Sequence, residues 1–349
     1  MYDTTTEVPD LSAVPEDTGT APLAFLDPAL AGLRQYHAVT SALDLGLFEL
    51  LEKPMTAAAC AARLGCREDL TGLLCEALAS MHLLEQDGDC FHTGRTARSY
   101  LVRHSPFCQQ HAIAFQRRLA GLWEDLPSIL KNGPVTYDRG DMFRNVIIPS
   151  MAENCRCGLL QNVTGLVAGL PEFPSAKRLL DLGGGHGLYA IALCRKNPGL
   201  EATVFDLPPV VDATSSFIAR YAADRVSVMP GDFFTDPIGS GYDIVFSSSN
   251  PGGKVPALIP KIAAALNDGG IYINKQGIDE GQPDPWLSLE WNLWAFTGVK
   301  KEAKRYTFNN SVPLEEYNRR LTDHGLSVIR TIPVDSTSVM MVAQKNREG

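Results

Sequence analysis

The second half of the chain alternates short apolar runs with amphipathic stretches. The apolar runs predict five strands, at residues 178–182, 201–207, 226–230, 242–248 and 271–276. The amphipathic stretches between them predict helices at 187–197, 209–223 and 254–267. This alternation predicts an α/β domain, in which helices cover both faces of a parallel sheet. Two last runs, 327–334 and 338–345, flank a short turn and predict an antiparallel hairpin that completes a seven-stranded sheet.

The first hundred residues follow a different pattern, in which helical spacing dominates. Apolar positions over 30–51 predict one helix, Thr56 and Gly65 delimit a second, and residues 67–84 predict a third. Residues 85–94 then predict a two-stranded wing with Asp87-Gly88 at its tip. Helix–turn–helix followed by a hairpin is a winged-helix layout. Residues 25–106 are therefore predicted to form a mostly helical winged-helix domain.

Two further segments complete the predicted organisation. Residues 1–24 are acidic and rich in Thr and Pro, which predicts a disordered tail. Residues 107–170 have a helical pattern that is broken at Asn132-Gly133-Pro134. We expect this stretch to bridge the winged-helix domain and the α/β domain, which we place at residues 171–349.

Composition limits the functions that these domains are expected to serve. The 349 residues carry 31 Lys+Arg against 40 Asp+Glu, a net charge of −9, which argues against a nucleic-acid-binding surface over the whole molecule. No apolar run reaches the ~18 residues that indicate a membrane helix. The chain also lacks the basic start and apolar core of a signal peptide, so we predict a cytoplasmic protein. The eight cysteines lack zinc-site spacing and predict reduced thiols without a metal, while a metal role for the close pair Cys155 and Cys157 stays open as an alternative.

A glycine-rich turn is the most informative segment of the chain. Asp181 stands near the end of the first predicted strand and is followed by Gly183-Gly184-Gly185-His186-Gly187. Glycines at a strand-to-helix turn let a ligand approach the backbone closely. The spacing departs from the dinucleotide-binding pattern because position 188 is Leu. With an acid that can accept hydrogen bonds from an ammonium group, the loop fits an amino-acid moiety better than a pyrophosphate.

Two more acids follow the next two predicted strands. Asp206 ends the second strand, where an acid can accept hydrogen bonds from ribose hydroxyls. Asp232 follows the third strand, where it can accept from an adenine amino group while Phe233 lies against the ring. Each acid alone is also explained as a solvated loop carboxylate. Three acids at the ends of successive strands favour a nucleoside site.

These motifs resemble those of a known family. The segments DLGGGHG, VFDLPPVV and GDFF resemble S-adenosylmethionine-dependent methyltransferases, and most closely the small-molecule O-methyltransferases with an N-terminal winged-helix dimerisation domain, over about residues 28–346. The resemblance implies a Rossmann-like sheet, S-adenosylmethionine as cofactor, a small-molecule substrate and a homodimer formed through the N-terminal domain. The cofactor-binding residues that it implies are Asp181, Gly183, Gly185, Asp206, Leu207, Asp232, Phe233 and Ser248.

The chain departs from the family at the catalytic base. Family members usually carry a His-Asp-Trp motif after strand four, and by register Gly252 stands in place of the His, so no catalytic residue is assigned. The supporting acid corresponds to Gln276, and the third acid falls near Lys304 or Arg305. A hydroxyl acceptor loses roughly 10²–10⁴-fold in rate without a positioned base. A thioether has no proton to lose, so it needs only orientation.

A site without a base is therefore expected for a sulfur acceptor. The methylthiohydroxybutyrate S-methyltransferases of dimethylsulfoniopropionate synthesis are similar to this family and carry out that chemistry. O-, N- or C-methylation, with a relocated His or Tyr as base for an oxygen acceptor, stays open as an alternative. So does a methyltransferase-like fold that binds the cofactor without transferring its methyl group. A winged-helix regulator is disfavoured because the helix at 67–84 is acidic where phosphate contacts need Lys and Arg.

The resemblance also implies where the substrate pocket lies. The helix before the first strand, the helix predicted at 286–296 and the bridging region are expected to line it. The substrate-binding residues that we propose from these elements are His111, Arg118, Trp123, Met151, Asn154, Trp291, Asn292 and Trp294. Helix packing is the alternative explanation for the tryptophans.

Overall fold

The computed structural model describes Ser12 and residues 24–278 and 284–347. The predicted tail at 1–24 lies outside the described residues except for Ser12 and Ala24. The chain divides into two compact units, Met1–Ser105 and Pro106–Gly349. The predicted bridging region thus falls in the same unit as the α/β domain. None of the described helices is long and apolar enough to cross a membrane.

The first unit consists of helices and a small antiparallel sheet. Its helices are α1 (Asp27–Leu45), α2 (Leu47–Leu50), α3 (Ala57–Leu64), α4 (Glu68–Ser80) and α5 (Arg95–Tyr100). Its strands are β1 (Met55–Thr56), β2 (Leu84–Asp87) and β3 (Cys90–Thr93), in the order β1-β3-β2. The predicted hairpin is present as β2 and β3. The single helix predicted at 30–51 is instead split at Gly46, whose left-handed φ of +69° ends α1.

Short-range sequence signals account for α3. Thr56 precedes it in an extended conformation, and its Oγ1 accepts a hydrogen bond from the Ala59 N–H over 3.3 Å. Gly65 follows it at φ +67°, a conformation that costs glycine little. Both signals were visible in the sequence, so the helix has the predicted limits.

The second unit begins with helices and continues into a large sheet. Its helices are α6 (Gln110–Glu124), α7 (Leu126–Asn132), α8 (Arg139–Met142), α9 (Ile148–Arg156), α10 (Leu159–Ala168), α11 (Leu188–Lys196), α12 (Pro208–Arg220), α13 (Ile259–Ala265), α14 (Pro285–Asn292) and α15 (Leu314–Asp323). Its strands are β4 (Val135–Tyr137), β5 (Arg178–Leu182), β6 (Glu201–Asp206), β7 (Val226–Pro230), β8 (Tyr242–Ser248), β9 (Leu266–Gly277), β10 (Trp294–Phe296), β11 (Leu326–Pro333) and β12 (Ser338–Lys345). A π-helix, Phe143–Ile147, joins α8 to α9, and a 3₁₀ turn, Pro256–Leu258, precedes α13.

The predicted α/β fold is confirmed: the sheet has seven strands, is mostly parallel and ends in an antiparallel hairpin. Seven strands form one sheet in the order β11-β12-β9-β8-β5-β6-β7. The strands β5, β6, β7, β8 and β9 pair in parallel, and β12 runs antiparallel to both β9 and β11. The C-terminal hairpin therefore closes one side of a Rossmann-like sheet. The carboxyl ends of the parallel strands meet at one edge, where ligands bind in open α/β sheets.

Alternating side chains of the central strands build two cores. Leu179 and Ile244 are fully buried in the cluster on one face, together with side chains of α10 and α11. The next residues along each strand, Leu180 and Val245, are fully buried in the cluster on the other face, against α13 and α15. Continuous apolar runs are expected for strands that are covered on both faces. This packing fixes the strand ends that carry the candidate site.

In the second unit, the helix predicted before β10 differs from the structure. The helix expected at 286–296 ends at Asn292, and Trp294–Phe296 form strand β10 instead. The strand pairs in parallel with Val135–Tyr137, and the Val135 N–H donates to the Leu293 carbonyl over 2.9 Å. Because β4 is more than 150 residues away in sequence, local periodicity does not reveal this pairing.

Candidate functional site

The loop after β5 wraps around a buried carboxylate. Asp181 is 1% exposed, and the loop that follows it has left-handed backbone at Gly183 (φ +69°) and Gly185 (φ +55°). A Cβ on Gly184 would lie 2.5 Å from Asp181 Cγ, so a side chain is excluded at that position. The glycines therefore allow the backbone to fold over the acid and leave room above it.

Asp181 has an unsatisfied oxygen. Its Oδ2 is buried and has no hydrogen-bond partner among the described residues. Burial, together with the nearby Asp206 carboxylate, raises the pKa of Asp181 to about 7. A buried acceptor without a donor is costly, and a ligand that brings an ammonium group would remove this cost. The geometry thus fits the amino-acid part of S-adenosylmethionine.

Asp206 occupies the end of the neighbouring strand. Its Oδ2 accepts from the Gly185 N–H over 2.9 Å, and its Oδ1 accepts from the Leu207 N–H over 2.7 Å. Burial raises the pKa of this carboxyl as well. Each carboxylate oxygen can accept more than one hydrogen bond. The acid is therefore held in place by two backbone donors while it keeps acceptor capacity for ligand hydroxyls.

Asp232 and Phe233 follow β7 and are tied to the same edge. The Gly231 N–H donates to the Asp206 carbonyl over 2.9 Å, and Asp232 Oδ1 accepts from the Phe234 N–H over 2.9 Å. The Phe233 ring meets the Phe234 ring at 4.8 Å in an edge-to-face arrangement. These contacts give a carboxylate and an aromatic ring fixed positions beside Asp206, as an adenine site requires.

The loop after β8 contains Gly252, the position that the resemblance aligns with the family's base. A Cβ on Gly252 would lie 2.8 and 2.9 Å from two carbons of the Phe233 ring. A histidine therefore does not fit there unless the ring that is proposed to contact adenine moves. The sequence shows that the side chain is missing at Gly252, and the Phe233 ring gives the steric reason.

Amides occupy the supporting positions of this loop. Gln276 Nε2 donates to Asn274 Oδ1 over 3.0 Å, and Asn274 Nδ2 donates to the Gly253 carbonyl over 2.6 Å. Asn250 Nδ2 donates to the Leu182 carbonyl over 2.8 Å and to Ser247 Oγ over 2.7 Å. The network is uncharged, so it holds the loop in shape and supplies no proton acceptor comparable to a carboxylate.

Two buried residues at this edge, Lys275 and Tyr189, were not identified from the sequence. Lys275 pairs with Ser248 across β8 and β9 and donates through Nζ to Ser249 Oγ over 2.9 Å. Burial lowers the pKa of this lysine. The hydroxyl of Tyr189 hydrogen-bonds both Cys155 and Ser248. A lysine within the apolar run 271–276 was the one sequence signal for this pair. In the structure, Ser248 lies between two buried polar groups, Lys275 and Tyr189.

The predicted pocket residues of α9 occupy one side of that helix. Met151 and Asn154 are exposed, while Ile148 faces the glycine loop, since a Cβ on Gly185 would lie 3.7 Å from its Cδ1. Met151 is about 60° around the helix from Ile148. Met151 therefore lies on nearly the same face of α9 as Ile148, the face directed toward the glycine loop. Its proposed role in substrate binding stays a prediction.

His111 contacts a different side of α9. Its Nδ1 lies 2.7 Å from Oε1 of the buried Glu153, whose Oε2 accepts from the Ala112 N–H over 3.0 Å. Glu153 and Cys155 are two positions apart, about 200° around the helix. Since Cys155 is the residue that contacts Tyr189, the His111–Glu153 pair is directed away from the cofactor edge.

The predicted aromatic pocket is well packed. Trp294 is 4% exposed, and its ring meets the Trp291 ring at 5.3 Å. Trp123 Nε1 donates to Glu290 Oε2 over 2.9 Å. Asn292 Nδ2 donates to the Ser288 carbonyl of its own helix over 2.8 Å. The structure brings the three tryptophans into one cluster and engages Asn292 within α14.

Arg118 joins the same cluster from α6. Its guanidinium lies 5.4 Å from the centre of the Tyr137 ring, and its Nη1 lies 3.4 Å from Met142 Sδ. No group of three or more His, Cys, Asp or Glu that could hold a metal occurs in the part of the chain that the structure describes.

Comparison with known proteins places this site in a family. The chain matches the O-methyltransferase domain over residues 160–273 and the O-methyltransferase dimerisation domain over residues 29–103. It is 36% identical over 318 residues to an uncharacterised protein of Methanocaldococcus jannaschii, which covers 89% of this chain and 86% of that protein. It is 32% identical over 288 residues to acetylserotonin O-methyltransferase of Bos taurus, with 75% of this chain and 82% of the relative covered.

Two solved structures share the fold. An O-methyltransferase family protein from Burkholderia thailandensis aligns with a TM-score of 0.76 at 22% identity, covering 95% of this chain and 100% of that one. Human N-acetylserotonin methyltransferase in complex with S-adenosylmethionine aligns with a TM-score of 0.67 at 20% identity, covering 95% and 99%. At these identities the alignments establish the fold alone.

Proposed function

The chain belongs to the S-adenosylmethionine-dependent small-molecule O-methyltransferase family, and we propose that it methylates the sulfur of a neutral thioether, such as a methylthiohydroxybutyrate-like acid. The cofactor supplies an electrophilic methyl group when it is bound. The proposal concerns the acceptor atom, because methyl transfer from S-adenosylmethionine to small molecules is the activity of the family.

The residues that we propose to hold the cofactor are those at the strand ends. Asp181 Oδ2 is a buried acceptor suited to the ammonium group, and Asp206 retains acceptor capacity for the ribose. Asp232 and Phe233 are proposed to contact adenine. Ser248 and Leu207 flank the same edge. Gly183 and Gly185 shape the loop over Asp181.

The observation that carries the sulfur proposal is the closed space at Gly252. No side chain fits there beside the Phe233 ring, and the position of the supporting acid holds the amide of Gln276. A hydroxyl acceptor therefore lacks the base that contributes roughly 10²–10⁴-fold in family chemistry. A thioether attacks through a sulfur lone pair and releases no proton. The site then needs only to orient the sulfur and exclude water, which contributes several kcal/mol.

The His111–Glu153 pair is the structure's best candidate for a relocated base, and its direction argues against that role. A carboxylate on Nδ1 is the usual way to orient a catalytic histidine. This pair, however, lies about 200° around α9 from the contact between Cys155 and Tyr189. O-methylation through His111 is thus a weaker proposal than base-free transfer to sulfur.

The decisive experiment measures methyl transfer to a panel of acceptors. Radiolabelled S-adenosylmethionine is offered with a thioether, a thiol, a phenol, an amine and a keto acid. We expect a sulfonium product with the thioether and a rate that does not follow the ionisation of an acceptor hydroxyl. Products confined to oxygen, with a rate that rises with pH through one ionisation, would contradict the sulfur proposal. Cofactor binding without any labelled product would favour a non-methylating activity.

We also propose a homodimer formed through the first unit. The match to a dimerisation domain over 29–103 supports it, and so do two large apolar side chains on α4, Leu70 and Leu73, which are 59% and 61% exposed. Exposed apolar patches of this kind mark interaction surfaces. Light scattering should give twice the 37.9 kDa mass of the chain. Replacing both leucines by Gln should shift the protein toward monomer.

A further inference from the structure

A lysine occupies the space between two tryptophan rings. Lys301 Nζ lies 3.6 Å from the centre of the Trp291 ring and 3.3 Å from the centre of the Trp294 ring. The rings meet edge to face, with planes at 81°. The same Nζ donates to the Trp291 carbonyl over 2.6 Å. Two indole faces and one carbonyl thus surround an ammonium group, which is the arrangement that binds onium cations.

The Lys301 ammonium lacks a carboxylate partner in this cage, which consists of the Trp291 and Trp294 rings and the Trp291 carbonyl. It forms no ion pair with a carboxylate among the described residues, and an ammonium that leaves water normally requires one. Burial alone lowers its pKa to about 7. A cation that carries no N–H group and loses less hydration is better suited to aromatic faces. The cage is therefore expected to prefer a permanent onium ion to its own lysine.

A second polar atom of the cage is also unsatisfied. Trp291 Nε1 is buried and has no hydrogen-bond partner in the described part of the chain. Buried indole N–H groups usually find an acceptor. A ligand that carries an oxygen acceptor beside its onium group would satisfy this donor, and a carboxylate-bearing sulfonium has that composition.

The segment that supplies the lysine also reaches the cofactor edge. Residues 297–313 contain neither helix nor strand. Within them, Tyr306 packs edge to face on the Trp291 ring at 5.1 Å and lies within electrostatic reach of Asp206. Phe308 packs on Phe234 at 5.0 Å. The segment therefore connects the cage to the strand ends that are proposed to bind the nucleoside.

We propose that the Trp291–Trp294 pair is an onium subsite, which binds the sulfonium product formed from the acceptor. In the ligand-free protein the Lys301 ammonium occupies this subsite, and it is displaced when the ligand binds. This inference rests on the proposed transfer to sulfur. In that step the thioether lone pair forms the new S–C bond while the S–C bond of the cofactor breaks. The positive charge passes to the acceptor and the cofactor becomes a neutral thioether, so no proton is exchanged.

The test is a binding measurement that requires no turnover. Trimethylsulfonium is titrated into the full-length protein saturated with S-adenosylhomocysteine, and tryptophan fluorescence and calorimetry report binding. Lys301→Met removes the competing cation while it keeps the length of the side chain. Lys301→Arg keeps the cation, and Lys300→Met removes an exposed neighbouring charge as the matched control.

We expect Lys301→Met to bind trimethylsulfonium about tenfold more tightly than the wild type, because one cation–π contact of ~1–2 kcal/mol no longer has to be displaced. Lys301→Arg and Lys300→Met should show no gain. The neutral probe tert-butyl alcohol should not distinguish the variants. Equal affinity in Lys301→Met and Lys300→Met, with both folded by circular dichroism, would overturn the inference.

The two proposals fail in different ways. If the thioether is methylated in the acceptor panel but Lys301→Met binds trimethylsulfonium no more tightly than the wild type, the onium subsite is wrong and the transfer to sulfur stands. If trimethylsulfonium binds more tightly to Lys301→Met but only oxygen acceptors are methylated, the cage binds cations and its assignment to a sulfonium product is wrong.

Discussion

The Gly185 N–H donates to Asp206 Oδ2 over 2.9 Å, which ties the loop after β5 to the end of β6. This bond fixes the second acid of the site before any ligand arrives. Asp181, the first acid, is buried beside it with one oxygen unpaired. The two carboxylates therefore differ: backbone hydrogen bonds position Asp206, whereas Asp181 keeps a free acceptor oxygen for the ligand.

Replacing Asp181 by Asn should weaken cofactor binding. A hydrogen bond to a charged group is worth ~1.5–3 kcal/mol, so we expect affinity for S-adenosylhomocysteine to fall roughly 10- to 100-fold. Isothermal titration calorimetry at pH 7.5 measures this loss. Asp268→Asn, at an exposed position of β9, is the matched control and should bind like the wild type. Unchanged affinity in Asp181→Asn would remove the acid from the proposed site.

The same substitution should stabilise the ligand-free protein at high pH. The pKa of Asp181 is raised from its ordinary value of 3.8 to about 7, so the folded state holds this proton more tightly than the unfolded state does. The cost of ionising the buried acid therefore appears as pH rises through this range and is complete above about 7.

Thermal unfolding from pH 5 to pH 8 measures the effect. The melting temperature of Asp181→Asn minus that of the wild type should increase with pH, because Asn has no proton to lose. Asp206 is present in both proteins, and its repulsion with the ionised Asp181 is lost in Asp181→Asn, which increases the difference in the same direction. A difference that shrinks with rising pH would show that the folded state favours the charged carboxylate.

The sequence predicted the parts of the site that local chemistry determines. Strand ends, helix caps and the left-handed glycines follow from short-range patterns, so Asp181, Asp206 and Asp232 were assigned to successive strands correctly. The pairing of β4 with β10 was missed because the partners are far apart in sequence. The position of Lys301 between two tryptophan rings was not predicted, because nothing local in the sequence indicates it. The steric conflict at Gly252 likewise depends on Phe233, a tertiary neighbour.

Replacing His111 by Gln should affect stability more than activity. The substitution removes the contact between Nδ1 and the buried Glu153, which we expect to cost about 1 kcal/mol of unfolding free energy. Glu153 keeps its bond from the Ala112 N–H, so the protein should remain folded. The rate of methyl transfer to the preferred acceptor should stay within about twofold, a change of ~0.4 kcal/mol. A rate loss of 10²-fold or more would make His111 the missing base.

Introducing the family's histidine at Gly252 should not restore a base. Its Cβ would lie 2.8 Å from the Phe233 ring, so the loop or the ring must move, and we expect weaker binding of S-adenosylhomocysteine and a lower melting temperature. Gly121→Ala is the matched control: Gly121 lies in α6 with open space around its Cβ position, and alanine is the better helix former there. Methylation of a phenol should not increase in Gly252→His. A gain in phenol methylation that rises with pH through a histidine ionisation would show that the site accepts a base after all, and that the closed space at Gly252 does not determine the acceptor.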